Sequence, residues 1–310
     1  MEESMPHLAF LAGSSNIDVS NGQGMDALME DVKQRGLQLE LDRLRDMHEV
    51  YTDAADGKYT LAPINWKKPG LRVLDSATAD AVWIQDAQKL AGDVVATQTW
   101  VGTDLVGELF PNPIPPNITF AKQSITEPWP QEWQGSFDLV HQRQVLGFCG
   151  DFPIKQAVAN LCALAKPGGW VELVELNADQ TILGEATVAR EFFDLLEQIW
   201  QIKNMGGNFG QDLKRYMEEA GLEDVEETLL RNKVGVKALP GKMDSSINGA
   251  LGAGPMIIAM AKTLPIKGFT QEQLDTLYER TEKEMRTIGS EFDSFAVRGR
   301  VPTGGLKPRI

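Results

Sequence analysis

The sequence predicts an α/β fold with a mostly parallel sheet covered by helices on both faces. Three observations predict it. Short apolar runs that end in acidic or polar residues alternate with stretches of helical periodicity. The composition, 42% hydrophobic and 24% charged over 310 residues, is that of a globular chain able to bury a full sheet. A Lys-Pro-Gly-Gly stretch at 166–169 joins a helical run to a buried strand, as the return of a βαβ unit requires.

The elements follow in order. The opening segment is rich in Ser, Asn and Gly and reads as a loose arm. From Met25 to about Tyr51 the apolar residues Leu28, Met29, Val32, Leu37, Leu41, Leu44 and Met47 recur at helical spacing, with a break near Gly36. This is a helical cap. Leu71 to Leu74 is a first strand ending in Asp75, followed by a helix from Ala81 to Leu90. Trp100 to Asp104, Asn117 to Ala121 and Phe137 to Val140 are the next three strands. A helix through Ala157 to Ala165, a tight turn at Lys166–Gly169 and a fifth strand from Trp170 to Leu176 come next.

Helices are then expected over Thr187–Lys203 and Gln211–Ala220, and a strand over Val225–Val234. Met243 to Leu264 and Thr270 to Thr287 form a helical insertion, the latter opening on a Thr270/Gln273 capping box. Ser294 to Val297 completes a seven-stranded sheet. The organisation is an arm and cap over 1–65, a core over 66–234, and a helical lid insertion with a final strand over 235–310. The insertion lies over the carboxyl edge of the strands, where open α/β sheets bind ligands.

Charge and cysteine content narrow the function. The formal net charge of −14 repels phosphate backbones and anionic lipid, so nucleic acid and membrane are excluded as partners, and a neutral or cationic small molecule is expected. Cys149 and Cys162 stand alone and form neither a disulfide framework nor a zinc site; no metal is expected. The N-terminus has no signal-peptide pattern, and the apolar stretch Leu251–Ala261 is too short to span a bilayer. A cytoplasmic protein is expected, with a homodimer as the oligomer that this apolar stretch could support.

Five segments carry chemistry. Asp75-Ser76-Ala77-Thr78-Ala79-Asp80-Ala81 follows the first strand, where a loop would wrap a ligand. Asp104, with Leu105 beside it, ends the second strand and can accept both hydroxyls of a ribose. Ser124-Ile125 follows the third strand, with Glu127-Pro128-Trp129-Pro130 beyond it; Trp129 reads as core packing. His141, Gln142 and Arg143 end the fourth strand, and an imidazole there can serve as a base. Lys166 to Glu172 fixes the register of the fifth strand.

These segments resemble the class I S-adenosylmethionine-dependent methyltransferases, and among them the fungal UMTA-type, LaeA-like group. The residues that carry the resemblance are Arg43 to His48, Asp56 to Ile64, Leu74 to Asp80 with Trp83, Pro115 to Phe120, Glu127 to Pro130, and Lys166 to Glu172. It implies a Rossmann-like, seven-stranded methyltransferase fold with S-adenosylmethionine as cofactor. It also implies that Asp75, Ala77, Thr78, Ala79 and Ala81 wrap the amino-acid end. Asp104 and Leu105 would hold the ribose, Ser124 and Ile125 the adenine, and His141 and Gln142 the junction with substrate. Two departures stand out. Alanines occupy positions 77, 79 and 81, where the group's loop has glycines, and Ser124 stands where an Asp is usual. An L-residue held at positive φ costs about 1–2 kcal/mol, so three alanines predict a tightened or repurposed loop.

The leading reading is methyl transfer to a small molecule of fungal secondary metabolism, with His48, Tyr51 and His141 as catalytic candidates and Glu49 and Arg143 behind them. Two other readings fit the same residues. One is a methyltransferase fold turned to cyclisation, isomerisation or a pericyclic step. The other is a non-catalytic regulatory partner protein.

Overall fold

The computed structural model describes residues 36–179, 184–203 and 205–306; the loose arm and the part of the cap before Gly36 lie outside them. Gly36 takes φ 80°, a conformation open to glycine, and marks the break expected there. Helix α1 (Leu37–Ala54) then runs as the cap, burying His48, Val50 and Tyr51.

The core follows as β1 (Arg72–Ser76), α2 (Val82–Ala91), β2 (Thr99–Asp104), β3 (Ile118–Lys122), β4 (Phe137–Arg143), α3 (Ile154–Leu164) and β5 (Ala165–Leu176). After it come α4 (Thr187–Ile202), α5 (Leu213–Glu219) and β6 (Glu223–Val234). Helices α6 (Met243–Leu251), α7 (Gly254–Ala261) and α8 (Gln271–Thr287) form the insertion before β7 (Ser290–Arg300). The capping box forms: Thr270 Oγ1 accepts from Gln273 N at 3.1 Å, and Gln273 Oε1 accepts from Thr270 N at 2.8 Å.

The strands form one seven-stranded sheet in the order β3-β2-β1-β4-β5-β7-β6. Strands β1 to β5 pair in parallel, and β7 runs antiparallel between β5 and β6. This is the Rossmann-like, seven-stranded topology that the resemblance implies. Chain direction across the sheet reverses between β1 and β4, so the crevice beyond those two strand ends is where the fold receives a ligand. The inner parallel strands β1, β2, β4 and β5 are buried on both faces, with Leu74, Trp100, Phe137, Leu139 and Leu173 fully enclosed. The edge strand β6 instead exposes Glu223, Glu226 and Glu227, charges that discourage pairing with another sheet.

Two expectations change. Lys166–Gly169 is not a separate turn: β5 begins at Ala165, and the pairing with β4 shifts register between Phe137 and Leu139. The Gly-Gly pair is absorbed as an irregularity, with Gly168 at φ 77° and Gly169 lying where a Cβ would meet the Phe137 carbonyl at 2.7 Å. The last strand extends well beyond Ser294–Val297, because neighbours on both sides supply its hydrogen bonds where side-chain hydrophobicity gives no signal.

The cap is tied to the core and to the insertion. Arg45 Nε donates to the buried Asp80 carboxylate at 2.6 Å. Lys242 Nζ reaches Asp53 at 2.7 Å, and Asn248 Nδ2 donates to Asp46 at 2.7 Å. Gly249 of α6 lets the two backbones touch, since a Cβ there would lie 2.6 Å from Met47 N. The chain after the cap is pinned to β5, whose Glu172 accepts from Leu61 N at 2.7 Å and Ala62 N at 3.0 Å. Cap and lid therefore close over the carboxyl edge of the sheet.

Candidate active site

A cavity of about 310 Å³ opens at that edge. One half is walled by the β1 loop and the ends of β2 and β4. The other half lies under the cap and lid and is lined by Phe192, Phe193, Trp200, Phe209 and Phe292.

The β1 loop decides what the first half can hold. Ala77, Ala79 and Ala81 stand at φ 57°, 48° and 60°, so the chain keeps a glycine-type backbone path with alanine side chains. At about 1–2 kcal/mol per residue, this stores roughly 3–6 kcal/mol of strain. Three contacts hold it. Thr78 N donates to Thr103 O at 2.8 Å, Ala79 N to Asp104 Oδ2 at 3.0 Å, and Thr78 Oγ1 to Asp75 Oδ2 at 2.7 Å. Ala77 and Ala79 line the cavity, whereas Ala81 is fully enclosed and does not.

Asp104 also accepts from Val106 N at 2.9 Å. Burial pushes its carboxyl up to about 6 despite these amide donors. Each oxygen retains a lone pair for a further donor. Leu105, Ser124 and Ile125 line the cavity next to it. The Ser124 hydroxyl pairs with Thr126 Oγ1 at 2.7 Å and accepts from Thr126 N at 3.2 Å, closing a local turn. Trp129 is buried in the core and is not part of the wall.

At the end of β4, His141 Nδ1 meets Asp75 Oδ1 at 2.7 Å, and its ring stacks on Trp83 with centroids 3.9 Å apart and planes 3° from parallel. The Trp83 indole N–H is in turn fixed by the Tyr59 carbonyl at 2.6 Å. His141 lines the cavity. Its neighbour Gln142 points elsewhere along the strand's alternation and accepts from Ser76 Oγ at 2.9 Å, away from the cavity wall.

The catalytic candidates separate. His48 does not line the cavity. Its Nδ1 accepts from Arg143 Nη2 at 3.0 Å and its Nε2 donates to Asp86 at 3.0 Å, so both ring nitrogens are used. Burial, then the Arg143 charge, lowers it to about 4 and keeps it neutral. Its geometry suits orienting Arg143, whose guanidinium lies 5.1 Å over the Tyr51 ring. Tyr51 does line the cavity; its buried phenol accepts from Ser294 Oγ at 3.2 Å, and burial raises it far above the usual range, so it stays protonated.

Two groups in the wall escaped the sequence reading. Gln144 follows β4 at φ 59°, and its side-chain amide nitrogen is buried without a hydrogen-bond partner. Glu175, near the end of β5, is 2% exposed. One of its oxygens accepts from Val145 N and Leu146 N at 2.9 Å each, and burial pushes it up to about 7. The signal was a lone acid in the apolar run 173–176. Arg143 and Glu49 were noted; Arg143 lines the cavity and Glu49 does not.

Residues 46–227 match the family described as methyltransferase domain. The chain is 36% identical over 281 residues to methyltransferase psoC of Aspergillus fumigatus, covering 89% of this chain and 99% of that one. It is 35% identical over 281 residues to N-methyltransferase tcpN of Claviceps purpurea, with coverage of 89% and 99%. It is 26% identical over 200 residues to secondary metabolism regulator LAE1 of Cochliobolus heterostrophus, covering 62% of each.

Proposed function

The chain belongs to the methyltransferase-domain family and is a methyltransferase of secondary metabolism, and from that premise we propose that it moves the methyl group of S-adenosylmethionine onto a nitrogen of an apolar small molecule. The observation that carries the reading is that a β1 loop flanked by Asp75 and Asp104 and an aromatic chamber share one cavity.

The residues present suit the cofactor. The loop follows a left-handed path at all three alanine positions, and two of the three, Ala77 and Ala79, line the wall. Asp104 has lone pairs for the two ribose hydroxyls, Ile125 offers an apolar face to the adenine, and Ser124 can accept from its amino group. Asp75, Ala77, Thr78 and Ala79 bound the place of the amino-acid end. S-adenosylmethionine supplies there an electrophilic methyl on a sulfonium. The protein orients the acceptor: His141, locked by Asp75 and Trp83, and Tyr51 line the cavity where the two halves meet.

A nitrogen acceptor is favoured by the relatives named as N-methyltransferases, tcpN among them. The test is incubation with methyl-deuterated S-adenosylmethionine and a panel of aromatic amines, amides, phenols and thiols, read by mass spectrometry. Label on nitrogen is expected; label on phenols or thiols alone would contradict it. The second reading, a fold that no longer methylates, is favoured by the three strained alanines. It gains ground only if the protein fails to bind the cofactor.

A further inference from the structure

A buried carboxylate needs a counter-charge, and Glu175 has none within the described residues. No Lys or Arg pairs with it. Arg43, in the same wall, is engaged by Glu40 at 2.7 Å; Arg143 is hydrogen-bonded to the neutral His48 and lies over the face of Tyr51, and forms no ion pair with Glu175. One Glu175 oxygen is held by two backbone amides; the other has no partner among the described residues. The Gln144 amide nitrogen, of another residue in the same wall, is also without one. Stranding two polar groups at an apolar wall costs stability unless a ligand satisfies them.

The chamber around them states what that ligand is. Phe192, Phe193, Trp200, Phe209 and Phe292 offer ring faces, which attract cations as well as apolar bodies. The net charge of −14 concentrates cations at the protein.

We infer that Glu175 is the anchor for the methyl acceptor, and that the acceptor is a primary or secondary amine carried on an aromatic or aliphatic body that fills the chamber. The amine arrives as an ammonium, which pairs with the free carboxylate oxygen. Its N–H bond then breaks, the electron pair stays on nitrogen as the nucleophile's lone pair, and the proton passes to Glu175. Burial already places this carboxyl at about 7, where it can hold that proton. This assignment rests on the methyl-transfer reading above and adds to it the substrate class and the proton's destination.

The test measures binding and needs no turnover. Protein saturated with S-adenosylhomocysteine is titrated with phenethylammonium and with the uncharged 2-phenylethanol, followed by tryptophan fluorescence, since Trp200 lines the chamber, and by calorimetry. The amine should bind at least about tenfold more tightly than the alcohol, the worth of one desolvated charged hydrogen bond. In Glu175→Gln, which keeps an oxygen for Val145 N and Leu146 N, that preference should vanish while S-adenosylhomocysteine binds as before. Equal binding of amine and alcohol to the wild type, or no amine binding at millimolar concentration, overturns the assignment without recourse to the variant. A Glu175→Gln protein that loses S-adenosylmethionine affinity but keeps S-adenosylhomocysteine affinity also overturns it, by making Glu175 the sulfonium's counter-charge. Failure of S-adenosylhomocysteine itself to bind is a separate result and strikes the methyl-transfer reading.

Discussion

Ala77, Ala79 and Ala81 show how a residue's side chain and its backbone can carry different information. The sequence at these positions argues against a glycine loop, yet all three residues hold positive φ. The conformation is imposed from outside, by Asp75, Thr103 and Asp104, which collect the loop's hydroxyl and amide donors. Replacing alanine by glycine relieves strain and concedes some unfolded-state entropy, for a net gain of about 0.5–1 kcal/mol at each site. Ala77→Gly and Ala79→Gly should therefore raise the melting temperature and also tighten S-adenosylhomocysteine, because both residues line the cavity. Ala81→Gly should raise the melting temperature alone, and calorimetry beside thermal unfolding checks the split. With the cofactor placed as proposed above, Asp104→Asn removes the charge from the carboxylate that would accept the ribose hydroxyls. Loss of about tenfold or more in S-adenosylhomocysteine affinity is expected, together with some loss of stability, because Asn keeps only one oxygen for the Ala79 and Val106 amides. Residue identity made Asp75, Asp104, Ile125 and His141 legible as wall residues. It could not distinguish His48, which is consumed by Arg143 and Asp86, from His141, which is not. That difference is made by a contact between residues far apart in the chain.

At the scale of elements, periodicity located nearly every helix and strand, because buried parallel strands are continuous apolar runs and the covering helices are amphipathic. It missed what lies in pairing. The extension of β5 through Lys166–Gly169 and of β7 to Arg300 is set by hydrogen bonds from neighbouring strands, which leave no mark on side-chain composition. The cap–lid contact is equally silent: Gly249 looks like an ordinary helix-weakening glycine until α1 is laid against it. Gly249→Ala would put a methyl group within 2.6–2.8 Å of the backbone of Asp46 and Met47. A destabilisation of about 1–3 kcal/mol is expected, together with weaker ligand binding as cap and lid part. Urea denaturation gives the first and titration with S-adenosylhomocysteine the second. Unchanged affinity in a destabilised variant would show that the cap–lid seam does not shape the cavity.

For the whole molecule, the buried ionisable groups in and around the cavity couple stability to pH in opposing ways. His48 is lowered from 6.5 to about 4, so the unfolded chain binds a proton the folded protein refuses, and this group costs stability as pH falls from 6.5 toward 4. Asp104, raised from 3.8 to about 6, and Glu175, raised from 4.5 to about 7, act in reverse. Each destabilises the free protein at pH above its folded value, by an amount on the order of 3 kcal/mol, and the penalty is gone below its unfolded value. A ligand whose hydroxyls bond the Asp104 carboxylate relieves its share only where that group is ionised. The rise in melting temperature produced by S-adenosylhomocysteine should therefore grow as pH increases through about 6, and Asp104→Asn should flatten that growth. An equal shift at pH 5 and pH 7.5 in the wild type would mean the carboxylate does not meet the ligand.

The most direct measurement is calorimetric titration of the wild-type protein with S-adenosylmethionine and S-adenosylhomocysteine, with mass spectrometry of the purified sample for cofactor carried through purification. Saturable binding of one molecule per chain, tightened in Ala77→Gly and Ala79→Gly, is the result expected of a loop that holds the glycine path with alanine side chains. No binding at millimolar cofactor, in the wild type and in both glycine variants, would contradict the methyl-transfer reading and leave a methyltransferase fold put to another reaction.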